Sequence, residues 1–82
     1  MSTQIIRKGD KMFYFLNKNV KILRNSRGFT QEQLAKMLSI SKNALANFEG
    51  GQRNTSIEVL DKLHNIFSIS LDDLIYKDLS EN

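Results

Sequence analysis

Lys42, Asn43, Ala46 and Asn47 have the types and spacing that could do chemistry. On a helix turning about 100° per residue they share one arc, and Leu45 and Phe48 fall on the opposite one. Asparagine can bond bidentately to adenine, and lysine can donate to guanine O6 or N7. An alanine between them leaves room, and a methyl surface, for a thymine methyl. Such an arc would read base edges in the major groove of duplex DNA, which is wide enough to admit one helix. An ordinary solvated helix face has the same composition, so the arc acquires meaning only from the elements that hold it.

Other chemistry finds little support. The 82 residues contain no cysteine, which removes disulfides, zinc ribbons and thiol nucleophiles. His64 is the one histidine and lies at the edge of an apolar helix face, where a packed or half-exposed residue is the ordinary outcome. Asp72 and Asp73 are adjacent, so on a helix they do not face each other. They suit the first turn of a helix better than acid–base work. Asn54-Thr55-Ser56 is a formal glycosylation triplet, without meaning unless the chain is secreted. No metal, no cofactor and no enzymatic activity are expected.

The elements that must position the arc are helical throughout. Five short helices are expected, all-α, with no strand-like alternation. The first spans about 17–27, with a start as early as Met12, and carries Leu16, Val20 and Leu23; Gly28 ends it. The second spans about 31–38, with Thr30 and Gln33 as a capping box and Leu34, Ala35 and Leu38 inward. The third opens after Ser41 and runs to Glu49, where Gly50-Gly51 stops it. The fourth spans about 56–67, with Thr55 and Glu58 as a second capping box. Its apolar face is Ile57, Val59, Leu60, Leu63, Ile66 and Phe67. The fifth, about 71–76, is capped by Ser70. Only Ser39, Ile40 and Ser41 separate the second helix from the third, which is a helix-turn-helix arrangement. An apolar residue in that turn, Ile40, would pin it to the core.

Length and composition fit one small domain, with residues 12–79 as its body, 1–11 as a flexible segment and 80–82 as a tail. The chain is 40% hydrophobic and 26% charged, as expected of a soluble globular protein. No apolar run reaches the roughly 18 residues of a membrane span, and the N-terminus lacks the apolar stretch of a signal peptide. A cytoplasmic protein with no membrane partner is the expectation. Charge is uneven: residues 1–53 hold ten basic side chains against three acidic, and residues 54–82 hold two against six. A basic front and an acidic back would orient the domain on a polyanion. Ordinary solvated charge gives the same numbers, and charge does not separate DNA from RNA or an acidic membrane.

Residues 19–75 resemble the XRE-like helix-turn-helix family of phage repressors, Cro proteins and their bacterial relatives. The matching residues are Asn19-Val20-Lys21-Ile22-Leu23-Arg24, then Gly28-Phe29-Thr30-Gln31-Glu32-Gln33-Leu34-Ala35. They continue through Ile40-Ser41, Leu45, Phe48-Glu49, Gly51, Arg53, Leu60, Leu63, Phe67, Ile69-Ser70-Leu71-Asp72 and Leu74. The resemblance implies a five-helix lambda-repressor-like fold and a prokaryotic or phage transcription regulator. It further implies a repressor binding an inverted-repeat operator in double-stranded DNA as a homodimer. By the same resemblance Gln31, Ser41, Arg53 and Asn54 meet phosphate, and Lys42, Asn43, Ala46 and Asn47 read bases. Arg24 and Glu49 match a partly buried ion pair. The sequence departs from the family where Ser39 replaces a frequent glycine and Gly50 a frequent asparagine. A proline common near Thr55 or Ser56 is also missing.

One small module makes few base contacts, so two copies on half-sites about 34 Å apart are expected. The surface assigned to the dimer is Leu71, Leu74, Ile75 and Tyr76, with Leu79 beside it. The aromatic run Met12-Phe13-Tyr14-Phe15-Leu16 comes second, and either lengthens the first helix or forms an arm or dimer contact. The alternative function is an antitoxin-like module whose main partner is a protein. RNA binding is disfavoured because readers of single-stranded RNA stack bases on exposed aromatics, and most aromatics here fall on core faces.

Overall fold

Four of the five helices begin on a hydroxyl, and each of these four ends at or next to a left-handed residue or just before an extended one, so the chain's punctuation sets its architecture. The computed structural model describes residues 15–80. The expectations placed on residues 1–11, on Met12, Phe13 and Tyr14, and on Glu81 and Asn82 lie outside the described residues. Within them the order is α1 (Leu16–Ser26), α2 (Gln31–Leu38), α3 (Lys42–Glu49), α4 (Ile57–Phe67) and α5 (Leu71–Tyr76).

The side chains of Thr30, Ser41, Ser56 and Ser70 each accept the backbone N–H three residues on, which satisfies one of the orphan donors of a helix start. At Thr30 the full capping box closes, because the Gln33 side chain accepts from the Thr30 N–H at 2.8 Å. The second expected box does not form. Ser56, not Thr55, caps α4 and takes the Val59 N–H at 3.2 Å. Glu58 is therefore the second residue of the helix instead of the third, and it stands exposed. α1 has no side-chain cap; the Phe15 N–H donates instead to the Ile75 carbonyl at 2.9 Å and ties the start of α1 to α5.

Helix ends share one device. Gly28, Ser39, Gly51 and Ser68 have φ of +74°, +60°, +81° and +52°. The residue after each donates its N–H back to the last turn: Phe29 to Arg24, Ile40 to Ala35, Gln52 to Asn47 and Ile69 to His64. This is the Schellman pattern, in which a left-handed residue turns the chain and an apolar follower packs against the helix it has left. Phe29, Ile40 and Ile69 do pack on the core. Ser39 accepts the left-handed conformation that a glycine would take freely, at a cost of about 1 kcal/mol.

The core gathers Leu16 and Val20 of α1, Leu34, Ala35 and Leu38 of α2, Leu45 and Phe48 of α3, Val59, Leu60, Leu63 and Phe67 of α4, and Leu74 of α5. α2 packs on α3 and α4, and α1 on α3 and α5. Two expectations are corrected. Ile57, assigned to the apolar face of α4, is 80% exposed because it is the first helical residue and lies beyond the packed turns. Leu74, assigned to a dimer surface, is completely buried. Beside it the buried Asn19 donates to the Leu74 and Lys77 carbonyls and accepts from the Leu79 N–H, at 2.6–3.0 Å, so α5 and the residues after it are clamped to α1.

Candidate nucleic-acid interface

α3 is seated by Leu45, Phe48 and Glu49, which point inward. Lys42, Asn43 and Asn47 are exposed, with Ala46 half-buried between them. None of the three makes a side-chain hydrogen bond or ion pair among the described residues, so their donors and acceptors face solvent. The short turn holds this helix against α2 through the Ile40 N–H on the Ala35 carbonyl at 3.0 Å and through the Ile40 side chain on the core. Ser41 Oγ accepts the Ala44 N–H at 3.0 Å, which leaves its own proton available at the start of α3.

Under this surface lies a three-residue polar cluster. Arg24 Nε donates to Glu49 Oε2 at 2.7 Å, Arg24 Nη2 to Glu49 Oε1 at 3.1 Å, and Arg24 Nη1 to the Phe29 carbonyl at 2.9 Å. The two side chains are 10% and 3% exposed. Gln31 Nε2 donates to the same Glu49 Oε1 at 3.0 Å. The first residue of α2 is thus tied to the last residue of α3 and to α1. Sequence reasoning missed this role of Gln31. No local signal carries it, because the two residues are 18 apart and meet only where α2 packs on α3. One hydrogen of the Gln31 amide remains for a ligand, in an orientation that Glu49 sets.

The basic front is smaller in space than in sequence. Arg24 is buried. Arg27 lies 5.4 Å from the centre of the Phe67 ring and donates to the Phe67 carbonyl at 3.2 Å, so it caps the C-terminal end of α4. Lys18 pairs with Asp78 at 3.1 Å. Asp78 is held below the ordinary carboxylate range, chiefly by the hydrogen bond from Ser80 and then by Lys18. The exposed cations without a partner among the described residues are Lys21, Lys36, Lys42, Arg53 and Lys77. Arg53 and Asn54 stand exposed on the loop that follows α3, whose path is set by left-handed Gly51 and by the Gln52 N–H on the Asn47 carbonyl at 2.8 Å.

On α5, Leu71 is 40% and Tyr76 58% exposed, and Ile75 is half-buried. With Leu74 in the core, these three are the part of the assigned surface that a second chain could reach. His64 is exposed and donates from Nδ1 to the Ile69 carbonyl at 2.6 Å, a helix-end contact. Among the described residues, no group of histidine, aspartate and glutamate is placed to hold a metal ion, and no helix is long and apolar enough to cross a membrane.

Comparison with known proteins agrees with this geometry. A family model described as helix-turn-helix matches residues 20–74. The chain is 38% identical over 63 residues to the HTH-type transcriptional regulator ImmR of Bacillus subtilis, covering 77% of this chain and 50% of that protein. It is 33% identical over 63 residues to the antitoxin PezA of Streptococcus pneumoniae, covering 77% of this chain and 40% of that one. It is 34% identical over 59 residues to the HTH-type transcriptional activator BcrR of Enterococcus faecalis, covering 72% and 29%. The chain spans half or less of the length of these three relatives. No solved structure gives a significant match.

Proposed function

Since the chain belongs to the helix-turn-helix family of DNA-binding regulators, we propose that it represses transcription by occupying an inverted-repeat operator as a homodimer, with α3 in the major groove. The observation that carries this reading is the seat of α3. Its apolar side is fixed by the core, its start is capped by Ser41, and its polar side presents Lys42, Asn43 and Asn47 with no competing partner among the described residues.

The mechanism divides into register and readout, since phosphate contacts position a protein on DNA and base contacts specify sequence. Gln31, Ser41, Arg53 and Asn54 meet phosphate, with the Gln31 amide steered by Glu49. Lys42, Asn43 and Asn47 read base edges, and Ala46 leaves space for a thymine methyl. Lys36 and Lys21 add to the counterion release that drives binding to a polyanion. The exposed part of α5, Leu71, Ile75 and Tyr76, forms the isologous contact, the same patch on both subunits. Nothing in this mechanism calls for a reaction, and the protein works from the cytoplasm.

In vitro selection on random duplex DNA at physiological salt tests the reading. Enrichment of a short inverted repeat supports it, and weak, salt-sensitive binding without enrichment refutes it. A second reading, an antitoxin-like module bound chiefly to another protein, is favoured by the relative named antitoxin PezA. A co-purifying protein partner together with no DNA preference would decide for it.

A further inference from the structure

The exposed arc of α3 has a gap at its last turn. With Lys42 at zero and about 100° per residue, Ala46, Asn43 and Asn47 fall at about 40°, 100° and 140°, and Gly50 falls at about 80°. Gly50 has φ −80° and ψ −2°, so it continues the helical path, and its N–H still donates to the Ala46 carbonyl at 3.0 Å. A side chain at position 50 would project from the middle of the arc, and glycine supplies none. The backbone there does not require glycine, because its φ is one that any residue adopts.

Gln52 occupies the vacant place. Its Oε1 lies 2.7 Å, and its Cδ 3.5 Å, from the point where a Cβ on Gly50 would stand. The carboxamide therefore folds back over the last turn of α3. The backbone is fixed for this: left-handed Gly51 turns the chain, and the Gln52 N–H donates to the Asn47 carbonyl at 2.8 Å. A Cβ on Gly51 would stand 3.0 Å from Asn17 Nδ2, so α1 closes on the loop at this point. Gln52 is exposed, and its side chain makes no hydrogen bond among the described residues. We propose that Gln52 is a further base-reading residue, standing in for the side chain that Gly50 lacks. The inference rests on the DNA-binding reading of α3. A glutamine amide bonds bidentately to adenine N6 and N7. Asn47 and Gly50 are about 4.5 Å apart along the helix axis, and base pairs stack about 3.4 Å apart. Gln52 then meets the base pair next to the one that Asn47 reads. Gly50 is a specificity element because it leaves the room that Gln52 fills.

The test is selection of a site from random duplex DNA by the full chain, followed by affinities for single-base variants of that site. Gln52→Ala should lose about tenfold in discrimination at one base pair of each half-site, beside the one affected by Asn47→Ala. The salt slope should not change, since glutamine carries no charge. Gly50→Ala puts a methyl group 2.7 Å from Gln52 Oε1, the far end of a flexible side chain that can swing away. That variant should keep its helical circular dichroism and melting temperature and lose the same preference about tenfold. In the double variant, Gly50→Ala should add less than about twofold to Gln52→Ala, because both act through one contact. Should Gly50→Ala fail to fold, Gln52→Ala still decides. Unchanged preference in Gln52→Ala, an equal loss at every base pair, or additive losses in the double variant would each overturn the proposal. A parent that selects a site which Gln52→Ala reads equally well removes this inference and leaves the regulator reading intact. A parent that enriches no sequence removes both.

Discussion

Replacing Glu49 by alanine should cost a large share of what holds this domain folded, and the reason can be worked from three hydrogen bonds. The Glu49 carboxylate accepts two from Arg24 and one from Gln31, in a site where its side chain is 3% exposed. Without it the Arg24 guanidinium, 10% exposed in the parent, keeps only the Phe29 carbonyl as its acceptor. An uncompensated buried charge costs about 3–5 kcal/mol. A domain of this length has a total stability of about 4–12 kcal/mol, so the loss is about a quarter of it or more. The melting temperature should fall by at least about 12 °C. Urea unfolding followed by circular dichroism measures this directly. The control is the double variant Arg24→Met with Glu49→Leu, which removes both charges and keeps apolar volume. A buried pair replaced in this way is often neutral, so the double variant should recover most of the loss. If Glu49→Ala melts within about 1 kcal/mol of the parent, or if the double variant is no better than the sum of the two singles, the stranded-charge reasoning is wrong. Variants that still fold should keep the parent's base preference, since Glu49 lies beneath the reading surface.

Asn43→Ala or Asn47→Ala should lose about 1–3 kcal/mol at one base position and relax preference there, measured by binding to single-base variants of the selected site; a uniform loss across sequences would break the readout assignment. Arg53→Ala should instead weaken all sequences alike and lower the salt slope by about one, read from affinity against salt concentration. Ser39→Gly should raise unfolding stability by at most about 0.5 kcal/mol, because relief of the left-handed serine is largely offset by a looser unfolded chain; a loss of more than about 1 kcal/mol on urea unfolding would mean that the serine side chain matters in the turn. Asp78 is depressed in the folded chain, so its contribution is present above the ordinary carboxylate value and lost as pH falls below about 4. The protection of the Leu79 amide, with the intrinsic pH dependence of exchange divided out, should therefore fall at acid pH in the parent and not in Asp78→Asn.

Much of the fold is legible along the chain because its signals are local. Thr30 with Gln33, Ser41, Ser70, Gly28 and the three-residue turn each act within four or five residues, and the α2 and α3 bounds follow from them. The slip at Thr55 shows the limit. Thr55 and Ser56 are both good caps, and which one begins α4 depends on where the preceding loop leaves the chain. Ser39 shows another, since only the tertiary seat of Ile40 requires a serine to turn left-handed.

The candidate interface divides in the same way. Helical periodicity alone puts Lys42, Asn43 and Asn47 opposite Leu45 and Phe48, because the angle between residues on one helix does not depend on what surrounds it. The family was equally visible, in the Thr30–Ala35 run and its spacing to Ile40-Ser41 and Glu49. Which cations remain for a polyanion was not visible. The resemblance pointed to Arg24 with Glu49, but charge counts treat Arg27 and Lys18 like Lys42, and only the packing of α1 against α4 and the residues after α5 engages them. The same holds for Leu74, which one side of a six-residue helix turns into the core, and for the contact of Gln31 with Glu49. The sequence by itself determined the helices, their caps and the polar arc, which are set by bonds and angles within a turn or two. Tertiary structure decided which side chains still face solvent, because burial depends on helices that meet only after the chain has folded.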